Sequence, residues 1–172
     1  MIIGIGLLGA PVARAQDKLP DPMSFTVQME RGNVELAQTW LAAGLSPDFL
    51  GARTGSGLMI GAWEGKIDLM RVFLANGADI NLVNANGESA LALAAWKGRL
   101  EIVKWLLERG ARINAGPRRW SALHYAVFAG HQEVANYLID QGADINAIST
   151  NGSTPLMMAV YEGKEEMARK LI

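Results

Sequence analysis

The sequence predicts an all-α solenoid, made by stacking one helix-turn-helix unit with a turn-rich finger between successive copies. Three residue series carry the prediction. Gly32, Gly65, Gly98, Gly130 and Gly163 recur at steps of 33, 33, 32 and 33. Gly44, Gly77, Gly110 and Gly142 each follow a member of that series by 12 residues. Leu58, Leu91, Leu123 and Leu156 mark the opening turn of each unit. A period near 33 belongs to a supersecondary unit too small to bury its own apolar face, which therefore stacks on its neighbours.

The stretch from Asn84 to Asn114 shows the unit whole. Asn84-Ala85-Asn86-Gly87 is a turn, with Gly87 free to take a positive φ. Ser89 is placed to cap a first helix over Ala90 to Lys97, which Gly98 ends. A second helix runs from Leu100 to Arg109, and Gly110 supplies a left-handed C-cap. Ser153-Thr154-Pro155-Leu156 opens another first helix with a capping Thr and a Pro at the first helical position. Gly77-Ala78-Asp79-Ile80-Asn81 and Gly142-Ala143-Asp144-Ile145-Asn146 close second helices.

The core follows from helical spacing. Second helices contribute Leu36, Leu69, Ile102, Val134 and Met167, then Trp40, Phe73, Leu106, Leu138 and Leu171 one turn later, then Leu41, Leu74, Leu107, Ile139 and Ile172. Gly61, Ala94, Ala126 and Ala159 are small, and are expected to let neighbouring first helices approach closely. An acid opens every second helix: Glu35, Asp68, Glu101, Glu133 and Glu166. Negative charge suits a helix N-terminus, and Asp68–Arg71, Glu101–Lys104 and Glu166–Arg169 stand at i,i+3 on a solvated face.

These marks together resemble the ankyrin repeat: a T-P-L-H-like helix start, an A-x-x-G break, a V-x-x-L-L-like second helix and a G-A-D-x-N exit. The resemblance covers about residues 21–172. It implies an ankyrin domain over 16–172, with an N-terminal capping repeat at 21–48, full repeats at 49–81, 82–114 and 115–146, and a truncated repeat at 147–172. The capping repeat lacks the T-P-L-H start and has Asp21-Pro22 as its helix entry, with Phe25 in place of Leu. The last repeat stops at Ile172, before the expected closing glycine. Its apolar side is expected to be covered by further chain, a partner or a second subunit.

Residues 1–15 stand apart. Ile2 to Val12 is an apolar and small-residue run ending at Ala13-Arg14-Ala15, an A-x-A pattern before Gln16. This reads as the hydrophobic and cleavage regions of a signal peptide lacking its basic n-region. The expectation is an exported, periplasmic or secreted protein of bacterial type, or a cytoplasmic one if the segment is not a signal. The run is too short to span a bilayer. Gly4, Gly6 and Gly9 spell G-x-G-x-x-G, but only three residues precede them and Pro11 follows, so the strand and helix of a dinucleotide site are missing.

Composition narrows the function. Net charge is −1, so no strongly basic balance invites nucleic acid. There is no cysteine, hence no disulfide, thiolate metal site or cysteine nucleophile. His124 and His131 are the two histidines. His124 falls at the H of Ser121-Ala122-Leu123-His124, where the resemblance implies a ring tying turn to helix. His131 follows a break glycine, like Lys66, Arg99 and Lys164. No metal spacing, G-x-S-x-G or phosphate loop is visible, and no cofactor, metal or catalytic activity is expected. Asn151-Gly152-Ser153 fits a glycosylation acceptor, yet Asn-Gly is turn chemistry first.

One register suggests binding. Trp63, Trp96, Phe128 and Tyr161 each lie two residues before a break glycine. In ankyrin stacks this position faces the concave groove, and helices ~10 Å apart would align four rings over about 30 Å. The rail either grips a partner or packs over neighbouring turns. The finger Ala115-Gly116-Pro117-Arg118-Arg119-Trp120 is one residue short, with Arg119 where the family turn has glycine. It is either an anchor for an acidic or aromatic group or a repaired deletion. The expected contact set is Trp63, Trp96, Phe128 and Tyr161 on helices, with Arg53, Glu88, Arg118, Arg119 and Trp120 on turns. Its expected occupant is a protein or peptide. The alternatives are a glycan or small molecule stacked on the rail, or regulation of an exported enzyme.

Overall fold

The computed structural model describes residues 19–172. The expected signal segment and the G-x-G-x-x-G lie outside the described residues. Within them the chain forms five helix pairs: α1 (Pro22–Arg31) with α2 (Val34–Ala42), α3 (Gly57–Glu64) with α4 (Ile67–Ala75), α5 (Ala90–Trp96) with α6 (Leu100–Leu107), α7 (Ala122–Ala129) with α8 (Gln132–Asp140), and α9 (Pro155–Tyr161) with α10 (Glu165–Lys170). Among the described residues there is no strand, and the isolated bridge Val83–Ser89 closes one finger.

Local chemistry sets each boundary. Ser56, Ser89, Ser121 and Thr154 turn extended at the N-caps of α3, α5, α7 and α9, and each side-chain oxygen accepts the N–H three residues on. Asp21 caps α1 by accepting from Met23 and Ser24 N–H, and Pro22 occupies the first helical position. The hydrogen bonds from Ser24 hold the Asp21 carboxyl below its ordinary pKa. The helices end earlier than their periodicity suggests, α5 at Trp96 and α6 at Leu107.

First helices pack on first helices along the whole stack; second helices do so comparably only between α2 and α4, and touch far less from α4 onward. Helices α1, α3, α5, α7 and α9 thus form one continuous layer, the inner layer of the stack, with the second helices outside it. Most of the expected core stripe is buried: Leu69, Ile102, Val134 and Met167, with Trp40, Phe73, Leu106, Leu138 and Leu171 beside them, whereas Ile172, expected in the same stripe, is exposed because no further helix pair packs on α10 among the described residues. Leu36, Leu41, Leu74, Leu107 and Ile139 pack against it partly buried. At the α1 end, Phe25 gathers Trp40, Phe49 and Phe73 at 5.1–6.1 Å between ring centres.

The small residue Gly61 has a different reason from the expected one. A Cβ there would lie 2.5 Å from Met70 Cγ, so the missing side chain seats α3 on α4 of its own pair. Gly57 is similar: a Cβ would meet the Phe73 ring at 2.1–2.6 Å. Phe73 fills the place that Leu106 and Leu138 hold elsewhere, and Gly57 stands where Ala90 and Ala122 stand. The pair exchanges a methyl on one helix for a larger ring on the other.

Repeat-to-repeat seams carry a polar ladder. Asp48 Oδ1 accepts the N–H of Asp79 at 2.9 Å, Asn81 Oδ1 that of Arg112 at 2.8 Å, and Asn114 Oδ1 that of Asp144 at 2.9 Å. The exit Asp or Asn of one unit thus holds the exit loop of the next. Of the expected i,i+3 pairs, Glu101–Lys104 forms at 2.8 Å. Arg169 instead reaches Glu165 at 3.9 Å, and Asp68–Arg71 makes no ion pair.

Candidate binding face

The inner helices and fingers bring the rail together, with two rings that periodicity alone does not place in it. Trp63 meets Trp96 edge to face at 5.4 Å. Trp96 stacks on Tyr125 at 5.1 Å and 26°. Tyr125 meets Trp120 at 5.0 Å, and Trp120 stands at 80° to Phe128 at 5.6 Å. The contacting strip is therefore Trp63, Trp96, Tyr125, Trp120 and Phe128, and Tyr161 stands beyond it, in no ring contact but lining a cleft shared with Trp120 and Phe128. Tyr125 sits in the register of Ile60, Leu93 and Met158, an apolar core position.

The strip divides into a packed and a bare part. Trp63, Trp96 and Trp120 are half-buried and pack against the core. Lys97 lies over Trp63, its Nζ 4.7 Å from the ring centre. Phe128 is 41% exposed and Tyr161 89%. Trp120 does not sit at a fingertip. It folds back beside His124 and Tyr125, in the position just before the N-cap Ser121 that Glu88 holds before Ser89.

Glu88 is likewise not free for contact: it is 7% exposed. Its carboxylate accepts from Asn84 Nδ2 at 2.7 Å and from the Tyr125 hydroxyl at 3.1 Å. Burial first, and the Glu88 charge second, push the Tyr125 hydroxyl far above its ordinary pKa, so it remains a donor. Arg53 is exposed but held, donating to both Glu30 oxygens at 2.9 and 3.0 Å. Arg118 and Arg119 are exposed. Arg118, not Arg119, takes the left-handed turn position, at φ 54, where another finger uses Gly87 at φ 79. Losing one residue shifts that position back by one. Arg119 points toward Gly87, where a Cβ would sit 3.2 Å from its Nη1.

Both histidines are occupied by the fold. His124 Nδ1 accepts the Ser121 N–H at 3.1 Å, completing a capping box. Its Nε2–H donates across to Ala147 O at 3.1 Å and Ser153 O at 3.2 Å. Burial lowers its pKa, with the two carbonyls opposing. His131 Nε2 donates to Trp96 O at 2.9 Å, and its ring lies over Gly98, where a Cβ would be 2.6 Å from Nδ1. Both rings join one repeat to another. No group of three metal-ligating side chains occurs among the described residues.

Two clefts open on this face. One, of about 270 Å³, lies between fingers and carries Arg112 and Arg119 over Val83, Ile113 and Trp120. The other, of about 490 Å³, is walled by Trp120, Phe128, Met157, Met158 and Tyr161, with Glu162 at its edge. It surrounds the bare end of the strip.

The family model for ankyrin repeats, in three copies, matches residues 27–117, 58–149 and 116–172. The chain belongs to the ankyrin repeat family. Ankyrin repeats are generally non-catalytic modules for protein–protein interaction. No curated protein matches the chain. No helix among the described residues is long and apolar enough to cross a membrane.

Proposed function

We propose that this ankyrin chain is a non-catalytic recognition module that grips a protein or peptide across its concave face. One observation carries the reading: the aromatic strip is fixed by its own neighbours up to Trp120 and then left bare at Phe128 and Tyr161. Rigid apolar rings that are already ordered lose little freedom on association, and aromatic anchors beside a pocket are the usual centres of binding energy. Arg118 and Arg119 add a charged rim on the adjacent finger.

A photo-crosslinking residue at Tyr161 tests this against the same residue at Asp68, on the outer side. Crosslinking to one protein from Tyr161 and not from Asp68 supports the reading. Equal yields from both positions overturn it. A second reading, a glycan or small-molecule binder, draws on the shortness of the bare cleft around Trp120, Phe128 and Tyr161. It would give saturable binding of a soluble oligosaccharide and no protein crosslink. Export is proposed from residues 1–15; a mature N-terminus at Gln16 supports it, and one at Met1 rejects it.

A further inference from the structure

The faces of the strip's rings have different occupants. Trp63 carries the ammonium of Lys97, from the next repeat. Trp96 is stacked by Tyr125. Phe128 has Trp120 perpendicular to it on one side and remains 41% exposed. The residue that stands to Phe128 as Lys97 stands to Trp63 is Glu162. Lys97 is the C-cap of α5 and Glu162 the C-cap of α9, each one repeat beyond the ring concerned. The same register therefore delivers a cation to Trp63 and a carboxylate to the cleft that Phe128 lines.

A carboxylate at the edge of an aromatic cleft attracts positive charge. The quadrupoles of Phe128, Trp120 and Tyr161 attract it too. Glu162 is exposed and makes no ion pair among the described residues. Of the two cations on the nearby finger, Arg119 is turned the other way, over Gly87, and among the described residues neither Arg118 nor Arg119 lies over a ring of the strip. Met157 and Met158 add polarizable thioethers that suit the alkyl stem of a long side chain.

We infer that the cleft between Phe128 and Glu162 is a subsite for one lysine or arginine side chain of the bound partner. The inference rests on the concave-face reading above and assigns the chemistry of one anchor. Lys97 over Trp63 shows within this chain the pairing that the partner completes at Phe128.

The test uses the whole chain, with methionine methyl groups isotopically labelled for NMR. The probes are three capped tripeptides, acetyl-Gly-Lys-Gly-amide, acetyl-Gly-Arg-Gly-amide and the same peptide with norleucine. The expected result is a shift of the Met157 and Met158 methyls, with the cationic peptides bound about threefold or more tighter than norleucine. Glu162→Gln and Phe128→Leu both remove that advantage while leaving the spectrum of the core methionines Met29, Met59 and Met70 in place. Equal affinity for norleucine overturns the inference and makes the cleft a purely apolar anchor. Silence with all three peptides also overturns it. Neither result touches the crosslinking outcome at Tyr161, so the subsite and the wider reading fail separately. An oligosaccharide that shifts the same methyls equally in wild type and Glu162→Gln rejects the cationic assignment as well.

Discussion

The Tyr125 hydroxyl donates to Glu88 Oε1 at 3.1 Å, joining an inner helix of one repeat to the finger of the repeat before it. The acceptor is buried and has the Asn84 amide as its other close partner. Removing the donor leaves a desolvated carboxylate short of one bond. Tyr125→Phe should therefore cost about 1–3 kcal/mol, read as a lower urea midpoint at unchanged slope. Glu88→Gln keeps an acceptor and should cost less. A Tyr125→Phe midpoint equal to wild type would show the bond contributes nothing.

Gly57 and Phe73 fill one space from two helices. Gly57→Ala alone forces a methyl into the ring and should destabilise by about 1–3 kcal/mol. Phe73→Leu alone opens a void. Combined, they restore the Ala–Leu pairing present at Ala90–Leu106 and Ala122–Leu138. A double-mutant cycle should give a favourable coupling of about 1 kcal/mol or more. Additive losses would mean that the ring has room to move.

The two parts of the aromatic strip should respond oppositely to truncation. Trp96→Ala removes contacts to Trp63 and Tyr125 and should destabilise by about 2–4 kcal/mol. Tyr161→Ala should change stability by no more than about 0.5 kcal/mol while reducing partner crosslinking from a neighbouring position such as Glu162. Thermal melts of the two variants decide it.

His124 makes the fold sensitive to acid. Its Nδ1 accepts the Ser121 N–H, so a proton placed there faces another N–H and displaces a bond. Burial lowers the folded-state pKa below the ordinary imidazole value of about 6.5. The unfolded chain then binds more protons as pH falls, and stability rises with pH through this window. The contribution is complete above pH about 6.5 and is lost as pH falls toward the folded-state pKa. Melting temperature should drop more steeply between pH 7.5 and 5 in wild type than in His124→Asn, which retains a local acceptor. Parallel profiles would exclude His124 as the source.

Periodicity made most of this architecture legible. Glycine series, capping hydroxyls and leucine registers depend only on spacing along the chain, and helix positions follow directly from spacing. The family match agrees with that reading. What spacing conceals is which neighbour fills a given gap. Gly61 reads as a close approach between inner helices, but Met70 on the paired helix is the reason. Glu88 reads as an exposed finger acid, but Tyr125 and Asn84 claim it. Tyr125 itself was detectable in principle: a phenol in a register otherwise held by Ile60, Leu93 and Met158 must find a partner for its hydroxyl. The left-handed residue at Arg118 was hidden because a one-residue deletion moves the turn, and alignment to a family pattern places the shift at Arg119.

The Asp48, Asn81 and Asn114 ladder has a consequence for how such a chain changes over generations. Every rung offers a side-chain Oδ1, from Asp48, Asn81 or Asn114, to a backbone N–H one period along. Cutting out 82–114 would hand the Asn81 amide oxygen to the N–H of Asp144, restoring the rung. Recombination in whole periods can lengthen or shorten the protein without inventing a new joint, so the length of the inner face is set by how many units the gene happens to carry.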